Sequence, residues 1–90
     1  MTYLHYRIQG QKGDTVKVKL SGEAYVRLMD TLHYDNFRLG RRYQFKGGLV
    51  TEGAIDFQLP YKGNFHVVVD HNGMAGVVKA TVDMVRTGKP

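Results

Sequence analysis

Alternation of apolar and polar residues with a period of two recurs along this chain and constrains its fold more than any other feature. The clearest run is TVKVKL at residues 15–20, where the three apolar side chains share one face and the threonine and lysines share the other. Successive side chains of a β-strand point to opposite faces of the sheet. This run therefore predicts a strand with one buried and one solvated face.

Seven such runs of five to nine residues follow one another, separated mostly by turns that contain glycine. They comprise Leu4, Tyr6 and Ile8 with their neighbours, and residues 15–20, 24–29, 41–46, 55–59, 65–69 and 77–85. No amphipathic helix interrupts them, so we predict an all-β fold of about seven short, mostly antiparallel strands in a β-sandwich or flattened barrel. Asn72 and Gly73 stand between two β-branched runs and predict a hairpin that joins the last two strands.

The third run and two glycine-containing segments have features of their own. In the third run we predict that Ala24, Val26 and Leu28 face inward and that Tyr25, Arg27 and Met29 face outward, although the reverse assignment fits the pattern only slightly less well. Residues 31–40 fit neither period, and they predict an irregular loop or a single helical turn. Gly47 and Gly48 predict a bulge or sharp bend.

Length and composition limit the possible classes of protein. Ninety residues predict one small domain over residues 1–90, with residues 87–90 as a frayed tail. Without cysteine the chain has no disulfide, thiolate nucleophile or thiolate ligand for zinc. No signal-peptide pattern and no apolar run of about 20 residues is present, so we expect no membrane span and a cytoplasmic location. A formal charge of +5 favours anionic partners in general.

Motifs for catalysis or cofactor binding are not recognisable. Ser21 is the only serine, and it stands in a turn rather than in a G-x-S-x-G motif. The glycines near residue 50 lack the lysine and hydroxyl residue of a phosphate loop. Of the four histidines only His5 and His66 are expected to meet, if their strands pair, and two ligands without a third do not predict a metal site. We therefore predict no catalytic residue, no cofactor and no metal.

Four cations and three aromatic residues are interspersed in the segment DNFRLGRRYQFKGG, residues 35–48. If residues 41–46 form a strand, Tyr43 and Phe45 point inward while Arg42 and Lys46 point outward. A stacking platform for single-stranded nucleic acid needs both on one surface. A core strand is therefore favoured over nucleic-acid binding, which stays a less favoured alternative.

The cations of this segment are the candidate anion-binding residues: Arg38, Arg41, Arg42 and Lys46. Guanidinium groups at the start of a strand, beside an irregular loop, are suited to bidentate contacts with phosphate or carboxylate. An equally good interpretation is that the arginines form ion pairs with Asp30, Asp35 or Glu52, as most surface arginines do no more than this.

Several short motifs resemble a small bacterial family that is classed only as a domain of unknown function. They are Leu4-His5-Tyr6, Val26-Arg27-Leu28-Met29-Asp30, Asn36-Phe37-Arg38, Gly40-Arg41-Arg42 and Gly47-Gly48. The resemblance spans nearly the whole chain. It implies a β-sandwich found alone or attached to TIR domains, and a recognition or sensor module rather than an enzyme.

Two functional hypotheses follow from the sequence. The first is a non-enzymatic ligand-binding or sensor module with a basic site in residues 31–42, whose partner is an unknown anionic ligand or a protein. The second is a structural domain that self-associates through a strand edge or through an exposed face such as that of Tyr25 and Met29. The sequence leaves the oligomeric state open.

Overall fold

Seven strands and one helix are present in the computed structural model, which describes residues 3–51, 53–70 and 79–86. In chain order the elements are β1 Leu4–Gly10, β2 Thr15–Leu20, β3 Ala24–Asp30, α1 Thr31–Arg38, β4 Lys46–Val50, β5 Ala54–Gln58, β6 Gly63–Asp70 and β7 Ala80–Val85. The strands form a four-stranded sheet of order β1-β6-β3-β4 and a three-stranded sheet of order β5-β2-β7. Every pairing is antiparallel. The predicted all-β sandwich is confirmed.

The core lies between the two sheets and is built from the apolar faces of the alternating strands. Its most deeply buried members are Val16, Val18, Ala24, Val26 and Val67. The three apolar side chains predicted to point inward from β3 are all buried in this cluster. Strand β6 differs from the others because residues 65–70 are buried without a break, so both of its faces are covered.

Helix α1 covers the outer face of the four-stranded sheet. Asp30 caps it, since its carboxylate Oδ1 accepts a hydrogen bond from the backbone N–H of His33 at 2.9 Å. Tyr34, 8% exposed, packs from the helix onto Met29 and Val68. No helix in the described part of the chain is long and apolar enough to cross a membrane.

This helix corrects two predictions. The segment predicted to be an irregular loop or a single turn contains eight helical residues, because capping by Asp30 and packing onto the sheet stabilise a helix that would be marginal alone. Met29, predicted to face solvent, is only 3% exposed because α1 covers it. The exposed face of Tyr25 and Met29 proposed for self-association therefore does not exist.

The predicted strand over residues 41–46 is also wrong, since β4 begins at Lys46. The backbone N–H of Arg41 donates to the carbonyl of Asn36, and that of Gln44 donates to His33 Nδ1. These donors serve the helix and are not available to a sheet. Phe45, predicted to be in the core, is 43% exposed.

The last two strands do not form the predicted hairpin. Both edges of β6 are occupied, one by β1 and the other by β3, so β7 pairs with β2 in the opposite sheet. Asn72 and Gly73 themselves lie outside the described residues, as do Glu52 and the tail at residues 87–90.

Gly47, in the pair predicted to mark a bulge or bend, is required by both conformation and space. Its φ is +114°, a value that residues with a side chain rarely adopt. A Cβ at this position would collide with the carbonyl oxygen of Val26 and touch the ring of Phe57. Gly40 also has positive φ, at +74°, but a Cβ there would meet no atom within 4 Å.

We predict that Gly47→Ala lowers the free energy of unfolding by more than about 2 kcal/mol, because backbone strain and overpacking add together. Gly40→Ala, which adds strain alone, should lower it by about 1 kcal/mol. Urea denaturation of the two variants measures both values. Equal losses would show that the approach of Gly47 to β3 is not a constraint.

Candidate functional site

A column of polar side chains runs along the outer face of the edge strand β1. His5, Arg7 and Gln9 share this face because they are two residues apart. The register places Arg7 opposite His66 and Gln9 opposite Asn64 on β6. Two neighbouring strands thus present imidazole, guanidinium and amide groups side by side.

One face of helix α1 stands beside this column. Thr31, Tyr34, Asp35 and Arg38 have the spacing i, i+3, i+4 and i+7, which places them on one side of the helix. Together the helix and the strands enclose a groove of about 830 Å³. We call this space the α1 groove.

Two imidazoles in the groove are hydrogen-bonded to each other. His5 Nε2 and His66 Nδ1 are 2.8 Å apart, and the two rings are nearly parallel, with an interplanar angle of 14°. The ring of Tyr34 stacks on both, with centroids 4.2 Å from His5 and 4.4 Å from His66. The predicted meeting of His5 and His66 is confirmed.

The histidine pair belongs to a chain of hydrogen bonds. His66 Nε2 is 3.0 Å from Thr31 Oγ1, and His5 Nδ1 is 3.3 Å from the Tyr34 hydroxyl, which lies 3.2 Å from that of Tyr3. With both imidazoles neutral, donors and acceptors match in either direction along the chain. The pair can accept one proton and keep its central bond. A second proton would place hydrogen on both facing nitrogens, so the central bond would be lost and the two N–H groups would repel each other.

Burial and charge keep this pair neutral. Burial lowers the pKa of His66, which is 6% exposed, and neighbouring His5 and Arg7 lower it further, against smaller opposite effects of Asp35 and Asp30. Burial, followed by the charge of Arg7, also lowers the pKa of His5. Burial and the hydrogen bond with Tyr3 raise the pKa of Tyr34, so its hydroxyl stays protonated.

The two arginines of the groove differ in their partners. Arg38 Nη2 lies 3.3 Å from Asp35 Oδ1 in an ion pair that is about half exposed, so the predicted pairing with Asp35 is found. Arg7 forms no ion pair with any described carboxylate. Asp30, another predicted partner of the arginines, instead accepts hydrogen bonds from the Tyr61 hydroxyl and the His33 N–H.

The structure does not gather the four predicted anion-binding residues at one place. Arg38 lines the α1 groove, whereas Lys46 lines a smaller pocket of about 300 Å³ with His33, Phe45 and Tyr61. Arg41 and Arg42 are exposed and line neither. Arg7 was not among the candidate anion-binding residues predicted from the sequence. Its position two residues from His5, on the same strand face, could have indicated that it lies beside the histidine pair.

The donor set does not favour a metal. The facing nitrogens of His5 and His66 bond to each other, and their outer nitrogens contact Tyr34 and Thr31. Within the described residues no group of three His, Cys, Asp or Glu side chains could hold a metal ion. The groove is therefore suited to hydrogen bonding and charge pairing.

Acidification is expected to destabilise the protein through the histidine pair. Because the pKa values of His5 and His66 are lowered in the folded state, the unfolded chain binds protons first as pH falls below about 6.5. Stability is complete above that pH and declines until the folded pair is protonated, by about 1.4 kcal/mol for each unit of pKa lowering. Urea denaturation between about pH 7.5 and 5 measures this decline. This loss of stability on acidification should be smaller in His5→Gln and unchanged in His33→Gln. An equal loss in both variants would contradict its assignment to the His5–His66 pair.

Comparison with known proteins gives one match. The model of a family described as "Domain of unknown function (DUF1883)" matches residues 1–88. Neither the curated proteins nor the solved structures include a match to this chain. The family match covers β1 through β7 and confirms the resemblance drawn from the short motifs. The chain belongs to the DUF1883 family of domains of unknown function.

Proposed function

We propose that this chain is a non-enzymatic binding module whose α1 groove holds the anionic group of a small organic molecule. The observation that carries the proposal is Arg7, a cation on the groove lining that forms no ion pair with any described carboxylate. Arg38 lines the same groove, where it forms an ion pair with Asp35 that is about half exposed. Two arginines against one aspartate leave the lining with net positive charge.

The groups around Arg7 suit an oxyanion. A guanidinium offers two parallel N–H donors to a phosphate or carboxylate. The amides of Gln9 and Asn64, which are paired in the register next to Arg7, offer further donors. Charge-assisted hydrogen bonds of this kind are stronger than neutral ones, so the arginine would supply most of the affinity and the amides would orient the ligand.

The size of the groove supports an organic ligand rather than a bare inorganic ion. Its volume of about 830 Å³ falls in the range of about 300 to 1,000 Å³ that small-molecule sites occupy. A molecule whose anionic group carries a small organic part fits this volume.

Binding without catalysis is part of the proposal. A general base needs a nitrogen or oxygen free to approach the substrate. Both nitrogens of each imidazole already have partners in Tyr34, Thr31 or the other histidine. Arg41, Arg42 and Lys46 lie outside the groove, so a polyanion such as nucleic acid is the less favoured ligand. A sensor role, a bacterial source, a cytoplasmic location and association with TIR domains remain predictions.

Self-association is the second candidate, and the edge strand β4 favours it. Leu49 on this strand is 49% exposed, and Phe45 immediately before the strand is also exposed. An edge strand with apolar side chains is a template for pairing with another chain. The two positive-φ glycines of β4 make that edge irregular and weigh against a regular intermolecular sheet.

We predict that Arg7→Gln weakens anion binding about tenfold or more, because a charge-assisted contact is lost. Suitable probes are sulfate, benzenesulfonate, benzoate and phenyl phosphate, first by thermal shift and then by calorimetry. The ligand-free melting temperature should stay nearly constant, since exposed arginines contribute little to stability.

Arg42→Gln is the matched control, because it removes the same charge from an exposed site outside the groove. It should leave the affinity for these probes within about twofold of the unmodified protein. Equal weakening by the two variants would mean that only net charge attracts anions. Failure of all four probes to bind would overturn the proposal.

Light scattering addresses self-association separately. At tens of micromolar, about the concentration at which a weak functional dimer is visible, we expect a monomer. A stable dimer that Leu49→Lys dissociates would instead support association through β4.

A further inference from the structure

We propose that anion binding in the α1 groove is coupled to uptake of one proton by the His5–His66 pair. The inference rests on the proposed function of the groove and adds a rule for its regulation. The groove would bind a dianionic group best when the pair is protonated.

Geometry places the pair next to the predicted anion position. Arg7 stands directly opposite His66 in the β1–β6 register, and His5 is two residues from Arg7 on the same face. Cα atoms of opposed residues in an antiparallel pair are about 4.5 to 5.5 Å apart. An anion held by Arg7 therefore lies beside both imidazoles.

The hydrogen bond between the rings allows one proton to enter without rearrangement. In the neutral pair one of the two facing nitrogens carries hydrogen and the other accepts it. A proton added at an outer nitrogen, beside Thr31 or beside Tyr34, leaves the central bond intact, and the hydroxyl there turns to accept. The packed rings need not move.

Charged and titratable groups of β1, β3 and α1 lie around the pair. Arg7 on β1 disfavours protonation, whereas Asp35 on α1 and Asp30 at the end of β3 favour it. Arg38 on α1 also lines the groove, and Tyr34, whose ring stacks on both imidazoles, is uncharged. A bound anion would screen the two arginines and add negative charge next to the rings. Both effects favour the imidazolium.

Thermodynamic linkage then fixes the form of the effect. If the anion raises the pKa of the pair, protonation must raise the affinity for the anion by the same factor. Where the free pair is neutral and the bound pair is protonated, affinity rises about tenfold for each unit that pH falls. The net charge of +1 on the groove lining and the added proton together give two positive charges. These two charges balance those of a dianion.

Sulfate and benzenesulfonate are the probes of choice because neither changes its own charge between about pH 5 and 8. Calorimetry at constant ionic strength should show sulfate affinity rising at least about tenfold from pH 8 to pH 6. Heats in buffers of different ionisation enthalpy should give uptake of close to one proton per sulfate. Benzenesulfonate, a monoanion, should show a weaker pH dependence.

The variants separate this pair from other histidines. His5→Gln preserves a hydrogen-bonding side chain but removes one titrating ring, and it should reduce proton uptake sharply. His33→Gln is the control, since His33 lines the smaller pocket and bonds to the Gln44 backbone. It should retain the full pH dependence.

Nuclear magnetic resonance of the unmodified protein provides a second measurement that does not depend on variants folding. During a pH titration, the ring signals of His5 and His66 should report the uptake of a single proton by the pair. Saturating sulfate should raise the pH at the midpoint of this shared titration. Sulfate affinity that is constant with pH, with an unmoved midpoint, would overturn the coupling and leave the anion site intact. If neither sulfate nor benzenesulfonate binds at any pH, the coupling is overturned, and the binding of benzoate or phenyl phosphate then decides whether the anion site exists.

Discussion

The burial of strand β6 on both faces is the constraint on which the rest of the structure depends. This strand pairs with β1 on one edge and β3 on the other, and residues 65–70 are all buried. One face packs against the opposite sheet. The other face carries His66 and Val68, which would meet solvent if nothing covered the sheet there. Helix α1 supplies that cover and encloses a polar residue together with an apolar one.

A buried imidazole must have hydrogen-bond partners, because an unsatisfied polar group in the interior costs about 1 to 3 kcal/mol. His66 finds them in His5 on the neighbouring strand and in Thr31 at the start of the helix. Tyr34 then stacks on both rings and excludes water from one side. The cluster of His5, Thr31, Tyr34 and His66 thus results from the covering of β6 by α1. Its members supply the hydrogen-bond partners that the buried imidazole of His66 needs.

Arg7 remains outside this cover because β1 is an edge strand. Its guanidinium is exposed, yet it lies next to a pair of imidazoles that burial keeps neutral. A solvated cation therefore lies beside a buried imidazole, that of His66. This arrangement distinguishes the α1 groove from the surface around Arg41 and Arg42, which are exposed and do not line the groove.

Sequence by itself determined which side chains share a strand face, because alternation is a local property of extended backbone. It was enough to predict the sandwich and to favour the observed inward face of β3, and it predicted the contact of His5 with His66 on the condition that their strands pair. Tertiary structure alone decided which strands are neighbours: both edges of β6 are occupied, and β7 pairs with β2 in the other sheet. It also decided that residues 31–38 form a helix, which an eight-residue segment cannot sustain without packing. That helix brings Arg38 to Arg7 and leaves Lys46 in another pocket, because long-range packing, rather than spacing along the chain, sets which charges meet.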